Sequence, residues 1–229
     1  MLEGLEDGLA EGLARFGISG RLILCFLRHL SEEECLAALA EAEPHIDRIH
    51  GFGLDSSERG HPPSKFARLF ARCRELGKPI VAHAGEEGPP AYIVEALDIL
   101  GARRIDHGVR AVEDAAVLAR LAREGVPLTV CPLSNTRLCV FRTMVEHSLP
   151  QLLVAGAKVT INSDDPAYFG GYLNDNIRAV QAAFGFDAAI WYRLARNSFE
   201  ASFATADEKA GWIARLNAYF ARAGVRLSD

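Results

Sequence analysis

Short apolar runs recur along the chain, and each ends abruptly in a polar side chain. Such runs are typical of strands in a parallel sheet that is buried on both faces. The segments that separate them repeat apolar residues at helical spacing, as amphipathic helices do. The pattern therefore predicts alternating strands and helices, with strands over residues 22–27, 49–54, 79–82, 103–106, 127–130 and 158–161.

The ends of the predicted helices carry recognisable signals. Ser31 followed by Glu34 is a capping box, which starts a helix. Three other helical patterns run into a glycine where a helix commonly ends, namely Gly77, Gly101 and Gly125. The repeated order of strand, polar residue and helix favours an α/β fold over separate α and β regions.

Polar side chains at the ends of the predicted strands indicate which α/β fold this is. Chemistry at the carboxyl end of many strands is typical of a (β/α)8 barrel. A doubly wound sheet instead concentrates its site at one switch point, and the sequence has neither the dinucleotide-binding nor the P-loop glycine motif. We therefore predict a TIM-type (β/α)8 barrel as a single, incomplete domain over residues 1–229, with six of the eight βα units present.

Composition narrows the range of partners. The chain has 229 residues, 49% of them hydrophobic, which is enough for a sizeable core. A formal net charge of −5, with scattered Lys and Arg, predicts no binding to nucleic acid or membrane. The five cysteines show no C-x-x-C spacing, so we expect mostly buried, reduced thiols in a cytoplasmic protein.

Three of the strand-end residues form a candidate metal site. His83, His107 and Asp164 offer imidazole and carboxylate groups, which are good zinc ligands, and a catalytic zinc usually has three protein ligands and a water. Two histidines and a carboxylate also suit non-haem iron, so residue types alone leave the metal open. Glu86, three residues beyond His83, is placed to move protons without being a ligand.

Asp164 and Asp165 are neighbours at the end of the last predicted strand. On an ideal strand their side chains point to opposite faces. A turn of the backbone there lets one carboxylate bind metal while the other accepts a hydrogen bond from a substrate. A simple turn before Pro166 also explains an aspartate at this place, but it does not call for two.

Taken in order, the motifs closely resemble those of the adenosine/adenine deaminase family of metal-dependent aminohydrolases. The resemblance runs from the first predicted strand to about Asn197, and it is greatest to the adenine deaminase branch. It is carried by the segments HAGE (83–86), RIDHG (104–108), CPLSN (131–135) and SDDP (163–166), with GLDSSE (53–58), HPPSKF (61–66) and AYFGGY (167–172) pointing to that branch.

The resemblance implies a role for the residues that carry the chemistry. His83 and Asp164 match zinc ligands. Glu86 matches the proton donor that protonates the purine ring nitrogen beside the attacked carbon. His107 matches the histidine that orients or deprotonates the zinc-bound water and is not itself a ligand.

Two further residues match substrate contacts of the family. Asp165 matches the residue that hydrogen-bonds a nitrogen of the purine's imidazole ring, and Gly53 matches a backbone that lies against the purine. The implied reaction is hydrolysis of adenine to hypoxanthine and ammonia in purine salvage, with one Zn²⁺ per subunit. Deamination of adenosine to inosine is the alternative, since the two substrates differ by a ribose.

The sequence departs from the family in one respect. Members begin their barrel with a strand carrying His-x-His, which supplies two further zinc ligands. No pair has that spacing here, since the histidines are His29, His45, His50, His61, His83, His107 and His147. We therefore expect the chain to lack the first two βα units, to have an incomplete zinc site and to show little deaminase activity by itself.

Three accounts of such a chain remain open at this point. It is an incomplete form of an active enzyme, an inactive remnant, or a purine-binding module without catalysis. The last segment, residues 207–223, has the pattern of an amphipathic helix. That helix either covers an exposed face of the barrel or contacts a second subunit in a homo-oligomer.

Overall fold

The computed structural model describes residues 2–225. Within them, six parallel strands form one sheet, and each strand pairs with the next one along the chain. The strands are β1 (Ile23–Leu27), β2 (Gly51–Asp55), β3 (Ile80–Ala84), β4 (Arg104–His107), β5 (Pro127–Val130) and β6 (Lys158–Ile161).

Helices precede, connect and follow these strands. The α-helices are α1 (Leu2–Phe16), α2 (Glu32–Ala42), α3 (Ala67–Glu75), α4 (Pro90–Glu95), α5 (Ala115–Glu124), α6 (Pro132–Arg137), α7 (Leu149–Val154), α8 (Pro166–Phe169), α9 (Leu173–Phe184), α10 (Ala188–Ala201) and α11 (Ala206–Arg222). Short 3-10 helices span Glu43–Arg48, Pro63–Phe66, Val109–Glu113 and Met144–Glu146, and a π-helical turn spans Ala96–Leu100. No helix within residues 2–225 combines the length and the apolar character that crossing a bilayer requires.

The structure confirms all six predicted strands. The bounds of β5 and β6 are the predicted ones, whereas β2, β3 and β4 extend further toward their carboxyl ends. They do so because the residues at those ends remain in register with a neighbour: Leu27 lies opposite Asp55, and Ala84 lies opposite His107. Asp55, His83 and His107 are thus part of the sheet and not of the loops that follow.

The two faces of the sheet differ in polarity, because successive side chains on a strand point to opposite faces. The outward face packs under the helices, where Phe52 and Leu54 are fully buried. Phe26 stacks on Phe52 and meets the ring of Phe70 edge-on, with ring centroids 6.2 and 6.0 Å apart. This apolar face fixes the positions of the strands and therefore of their polar ends.

The inward face of the sheet carries polar groups. Asp106 accepts a hydrogen bond from Thr129 Oγ1 at 2.5 Å and another from Arg104 Nε at 3.3 Å. Cys25 lies opposite Gly53 on this face and is exposed, contrary to the expectation of a buried thiol. Its exposure follows from the open sheet, since among the described strands β1 and β6 each pair on one side only.

The last helix packs against the one before it. The ring of Phe220 on α11 lies 5.3 Å from that of Tyr192 on α10, and the Tyr192 hydroxyl donates to Asn217 Oδ1 at 2.8 Å. Helix α10 in turn reaches the sheet, where Asn197 Nδ2 donates to the carbonyl of Val159 on β6. The predicted amphipathic helix therefore forms an outer layer over α10.

Asp114, the residue directly before α5, offers a simple test of local stability. Asp114 Oδ1 accepts hydrogen bonds from the backbone amides of Ala116 and Val117 at 2.9 and 3.2 Å, which caps the helix. Asp114→Ala is expected to lower the free energy of unfolding by about 1 kcal/mol, the usual value of an N-cap. Urea unfolding measures the loss. Asp114→Asn keeps the acceptor, so an equal loss in both variants would contradict the capping role.

Candidate active site

The carboxyl ends of the parallel strands meet at one edge of the sheet, and the backbone there takes an unusual conformation. Ser56, His107 and Asp164 have positive φ values of 74°, 65° and 56°. Non-glycine residues seldom adopt this left-handed region, which persists only where the surrounding structure enforces it. These turns lie at the ends of β2 and β4 and in the loop after β6. There the side chains no longer alternate between the two faces of the sheet.

Four of the predicted site residues are brought together. The rings of His83 and His107 lie 4.7 Å apart, edge to face. His107 Nε2 lies 3.9 Å from Asp164 Oδ2, and its Nδ1 lies 3.2 Å from Glu86 Oε1. Residues from β3, β4 and the loop after β6 therefore surround one point at the edge of the sheet.

These residues offer a set of donors that suits zinc. Potential ligand atoms of His83, Glu86 and His107 lie within 4.8 Å of one another, as do those of His107, Cys131 and Asp164. Both groups contain His107, whose Nδ1 faces Glu86 and whose Nε2 faces Asp164, so donor atoms gather on two sides of one imidazole ring. Imidazole nitrogen and carboxylate oxygen are ordinary zinc ligands, so the donor types present fit that metal, although the sequence lacks the His-x-His pair that supplies two further ligands in the family.

Glu86 is a buried carboxyl with an altered acidity. Its Oε1 accepts a hydrogen bond from Asn135 Nδ2 at 2.6 Å. Burial raises the pKa of Glu86 to about 8, and the neighbouring charge of Glu58 acts in the same direction. The side chain is consequently protonated at neutral pH, when an ordinary glutamate is ionised. A buried, protonated carboxyl is a suitable proton donor.

His107 is an uncharged imidazole at the centre of the cluster. It is only 2% exposed, and burial together with the adjacent His83 and His147 holds its pKa well below the ordinary value. The ring therefore remains neutral at physiological pH. A neutral imidazole can accept or donate a hydrogen bond through Nε2, the nitrogen that faces Asp164.

Glu58 holds the loop that carries Glu86, a role that the sequence did not reveal. The carboxylate is 1% exposed and accepts hydrogen bonds from the backbone amides of Gly85, Glu86 and Gly88, at 3.1, 3.2 and 2.6 Å. A side chain at Gly88 would meet Glu58 Oε2 at 2.4 Å, so the glycine permits this approach. Glu58 ends a motif quoted above, but no spacing indicates that it reaches the loop after β3.

Glu58→Gln is expected to loosen this loop. Glutamine keeps one acceptor oxygen and places an amide donor against backbone N–H groups, so at least one amide loses its partner, at a cost of about 1–3 kcal/mol. Hydrogen exchange at Gly85, Glu86 and Gly88 should accelerate, as measured by NMR. Glu87→Gln serves as the control, because Glu87 pairs with exposed Arg59. Unchanged protection in Glu58→Gln would contradict the role.

Arg28, one of the polar residues at the strand ends, is a second residue for which the sequence predicted no role. Its guanidinium is fully buried, donates to the carbonyl of His83 from Nη1 at 2.6 Å and donates to the carbonyl of His61 from Nε and Nη2. It also lies 5.6 Å from the ring centre of Tyr92. Arg28 thereby ties the end of β1 to His61 and to His83, which lies three residues before Glu86.

The two predicted substrate contacts lie beside the cluster. Gly53 on β2 is buried and pairs with Val81, and a Cβ at this position would meet Cys25 Sγ at 2.4 Å, so the glycine makes room for the Cys25 side chain. Asp165 is exposed, and its backbone N–H donates to Asp164 Oδ1 at 2.8 Å. The Asp165 side chain is therefore available to a ligand.

Asp55, the polar residue that ends β2, adds to the same edge a carboxylate for which no role was predicted. Its Oδ1 is buried and finds no hydrogen-bond partner among the described residues. Burial raises the pKa of Asp55, and the charge of nearby His83 opposes that rise. A buried, unpartnered carboxylate oxygen next to a histidine is a further feature of this structure that suits a cation.

Known proteins are similar to this chain over nearly its whole length. A family model described as adenosine deaminase matches residues 1–219. The adenine deaminase of Geotalea uraniireducens is 57% identical over 221 residues, and that of Cupriavidus taiwanensis is 56% identical over 220 residues. The matches cover 96% of this chain in both cases but only 62 and 63% of the relatives. The chain thus spans less than two thirds of their length.

Solved structures give the same result. The crystal structure of an adenine deaminase from Arthrobacter aurescens superimposes with a TM-score of 0.92 at 46% identity, covering 95% of this chain and 67% of that one. An amidohydrolase from Burkhoderia ambifaria with bound Zn superimposes with a TM-score of 0.88 at 27% identity, covering 95 and 61%. The predicted α/β barrel class is confirmed, with six βα units in the described residues. The chain belongs to the adenosine deaminase family.

Proposed function

We propose that this protein catalyses the zinc-dependent hydrolytic deamination of adenine, which yields hypoxanthine and ammonia. The observation that carries the proposal is the buried carboxyl of Glu86, protonated at neutral pH and 3.2 Å from the neutral imidazole of His107. Deamination at a purine ring requires a proton for the ring nitrogen and a water directed at the adjacent carbon. The two side chains answer these two requirements.

His83 and Asp164 are the residues that would hold zinc, since both lie against His107 at the end of the sheet. When bound, the metal supplies Lewis acidity that brings the pKa of water toward neutrality. Asp164 reaches this position because of its left-handed backbone, which turns it out of the strand direction. Asp165 then extends into solvent, where it accepts a hydrogen bond from the imidazole-ring portion of the purine.

Glu86 delivers its proton to the purine ring nitrogen next to the carbon that bears the amino group. Protonation makes that carbon a better electrophile, and the attacking water adds there. His107 contacts this water through Nε2. The backbone of Gly53, on the strand beside β3, is the proposed contact for the flat face of the purine. After addition, the amino group takes up one of the two protons of the water and leaves as ammonia, and the other proton returns Glu86 to its acid form.

Adenine is proposed as the substrate in preference to adenosine. The relatives at 57 and 56% identity and the solved structure at 46% identity are all adenine deaminases. Catalysis is also preferred over a non-catalytic purine-binding module, because simple binding gives no reason to keep a protonated carboxyl buried beside a neutral histidine.

The test is a coupled assay of ammonia release from adenine and from adenosine, with the zinc content of the same sample measured by atomic emission. Because the sequence lacks the His-x-His pair of the family, we expect the chain by itself to release ammonia from adenine only slowly, at a rate that follows zinc occupancy and disappears on chelation. A zinc-loaded protein that releases no ammonia from either purine would show the proposal to be wrong. Faster release from adenosine would overturn the choice of substrate alone.

A further inference from the structure

Two buried polar residues, Asn135 and His147, are linked by hydrogen bonds to the proposed catalytic side chains of Glu86 and His107. Asn135 on α6 is fully buried, and His147, in the turn before α7, is 2% exposed. Neither belongs to the metal cluster, and buried polar groups of this kind are retained only where their hydrogen bonds are satisfied. The hydrogen bonds between them form one continuous series that begins at a backbone N–H.

The series of hydrogen bonds starts at a group that can only donate. The backbone N–H of Leu149 donates to His147 Nδ1 at 3.0 Å. A backbone N–H can only donate, so Nδ1 is the unprotonated nitrogen and the ring hydrogen lies on Nε2. Burial lowers the pKa of His147 to about 4, and the ring of Phe141 covers it at 4.4 Å, so the imidazole is neutral at physiological pH.

The next bond fixes the orientation of an amide. His147 Nε2 lies 3.2 Å from Asn135 Oδ1. Oxygen and nitrogen of an amide are told apart by their partners. Since Nε2 carries the hydrogen, the atom that faces it must be the acceptor oxygen. The reverse orientation would place two donors against each other in a buried site.

The amide nitrogen of Asn135 then has two hydrogens to donate, and two acceptors lie within reach. Glu86 Oε1 is 2.6 Å away and His107 Nδ1 is 3.3 Å away. His107 Nδ1 also lies 3.2 Å from Glu86 Oε1, where a ring hydrogen would compete with the amide for the same oxygen. Donation from the amide to Nδ1 instead places the hydrogen of that ring on Nε2. Donation to Glu86 Oε1 occupies that oxygen as an acceptor and leaves Oε2 to hold the acid proton.

We propose that His147 and Asn135 are positioning residues that set the tautomer of His107 and the proton-bearing oxygen of Glu86. His107 consequently acts on the attacking water as a hydrogen-bond donor through Nε2–H, and not as the base that removes its proton. The catalytic meaning of this arrangement rests on the proposed deamination, whereas the hydrogen-bond directions do not.

The experiment compares the full chain with two matched variants by NMR of selectively labelled protein. His147→Gln retains a donor that reaches Asn135 Oδ1, and His147→Asn retains an acceptor for Leu149 but has nothing at the position of Nε2. In the unaltered chain, imidazole ¹⁵N shifts should show His147 and His107 both protonated at Nε2. Nuclear Overhauser contacts should join the Asn135 amide protons to His107 Hε1.

We expect His147→Gln to keep these contacts and His147→Asn to lose them. Where adenine is turned over, kcat should fall about tenfold in His147→Asn with KM little changed, and less than about threefold in His147→Gln. Protonation of His147 or His107 at Nδ1 in the unaltered chain overturns the proposal. So does retention of the contacts in His147→Asn. If the unaltered protein deaminates nothing, the proposed function fails, and the NMR result still decides the hydrogen-bond directions.

Discussion

Replacing Glu86 by glutamine is expected to slow deamination about 100-fold or more and, at the same time, to stabilise the metal-free fold at neutral and alkaline pH. Glutamine has the shape of glutamate and keeps an acceptor for Asn135 Nδ2, so the loop should stay in place. It cannot release a proton to the purine ring. Removing a general acid typically costs about 10²–10⁴ in rate, and we expect kcat to fall within that range.

The stability effect follows from the sign of the pKa shift. The pKa of Glu86 rises from 4.5 to about 8 on folding, so the protonated group favours the folded state. This stabilising contribution is fully present below pH 4.5. Between pH 4.5 and about pH 8 it is lost progressively, because Glu86 ionises in the unfolded chain but stays protonated in the folded one, and above about pH 8 it is gone. At about 1.4 kcal/mol per pKa unit, the loss amounts to several kcal/mol. Glutamine does not ionise, so the Glu86→Gln variant does not lose this stability as the pH rises.

Urea unfolding at pH 5, 7 and 9, with the metal removed, checks the stability of both proteins. The two curves should lie close together at pH 5 and diverge in favour of Glu86→Gln as the pH rises. Glu87→Gln is the matched control, because that neighbouring carboxylate pairs with exposed Arg59. Retained activity in Glu86→Gln, or a pH dependence parallel to that of the unaltered chain, would count against the assigned role.

Asp164→Asn is expected to lower zinc affinity about 100-fold or more, since asparagine is a far weaker ligand than a carboxylate and the imidazoles are left without a charged partner. The substitution is conservative for the backbone. Asparagine tolerates the left-handed conformation found here, and its Oδ1 can still accept the N–H of Asp165. Calorimetric titration of the metal-free chain with zinc measures the change.

The adjacent acid provides the control for this prediction. Asp165→Asn should leave zinc affinity within about threefold and should raise KM for adenine, because Asp165 faces solvent beside the cluster. Equal zinc affinities for Asp164→Asn and the unaltered chain would remove Asp164 from the ligand set. Equal losses in both variants would mean that charge at the strand end, and not coordination, governs binding.

The sequence predicted those parts of the fold that depend on local patterns. The capping box at Ser31 and Glu34 is present, with both reciprocal hydrogen bonds. All six strands were found because buried parallel strands are continuous apolar runs. Cys25 was misjudged, since an apolar run does not distinguish a residue under the helices from one on the inward face of an open sheet.

The candidate site was predictable only in its residue types. His83, Glu86, His107 and Asp164 stood out as polar endings of apolar runs, and the structure places them together. No role was predicted for the residues that hold them, although they too lie near the ends of predicted strands. Glu58, Arg28 and Asn135 act through contacts with residues 27, 55 and 49 positions away in sequence, which no local pattern encodes.

The order of the strands bears on how the chain is made. Each strand pairs with its neighbour in sequence, so every βα unit can dock on the one before it as soon as it leaves the ribosome. No described strand waits for a partner synthesised much later, and contacts between near neighbours favour fast folding. The catalytic edge is completed last, when β6 and the Asp164 turn arrive. Metal and substrate affinity should therefore appear late in synthesis, after most of the core is already buried.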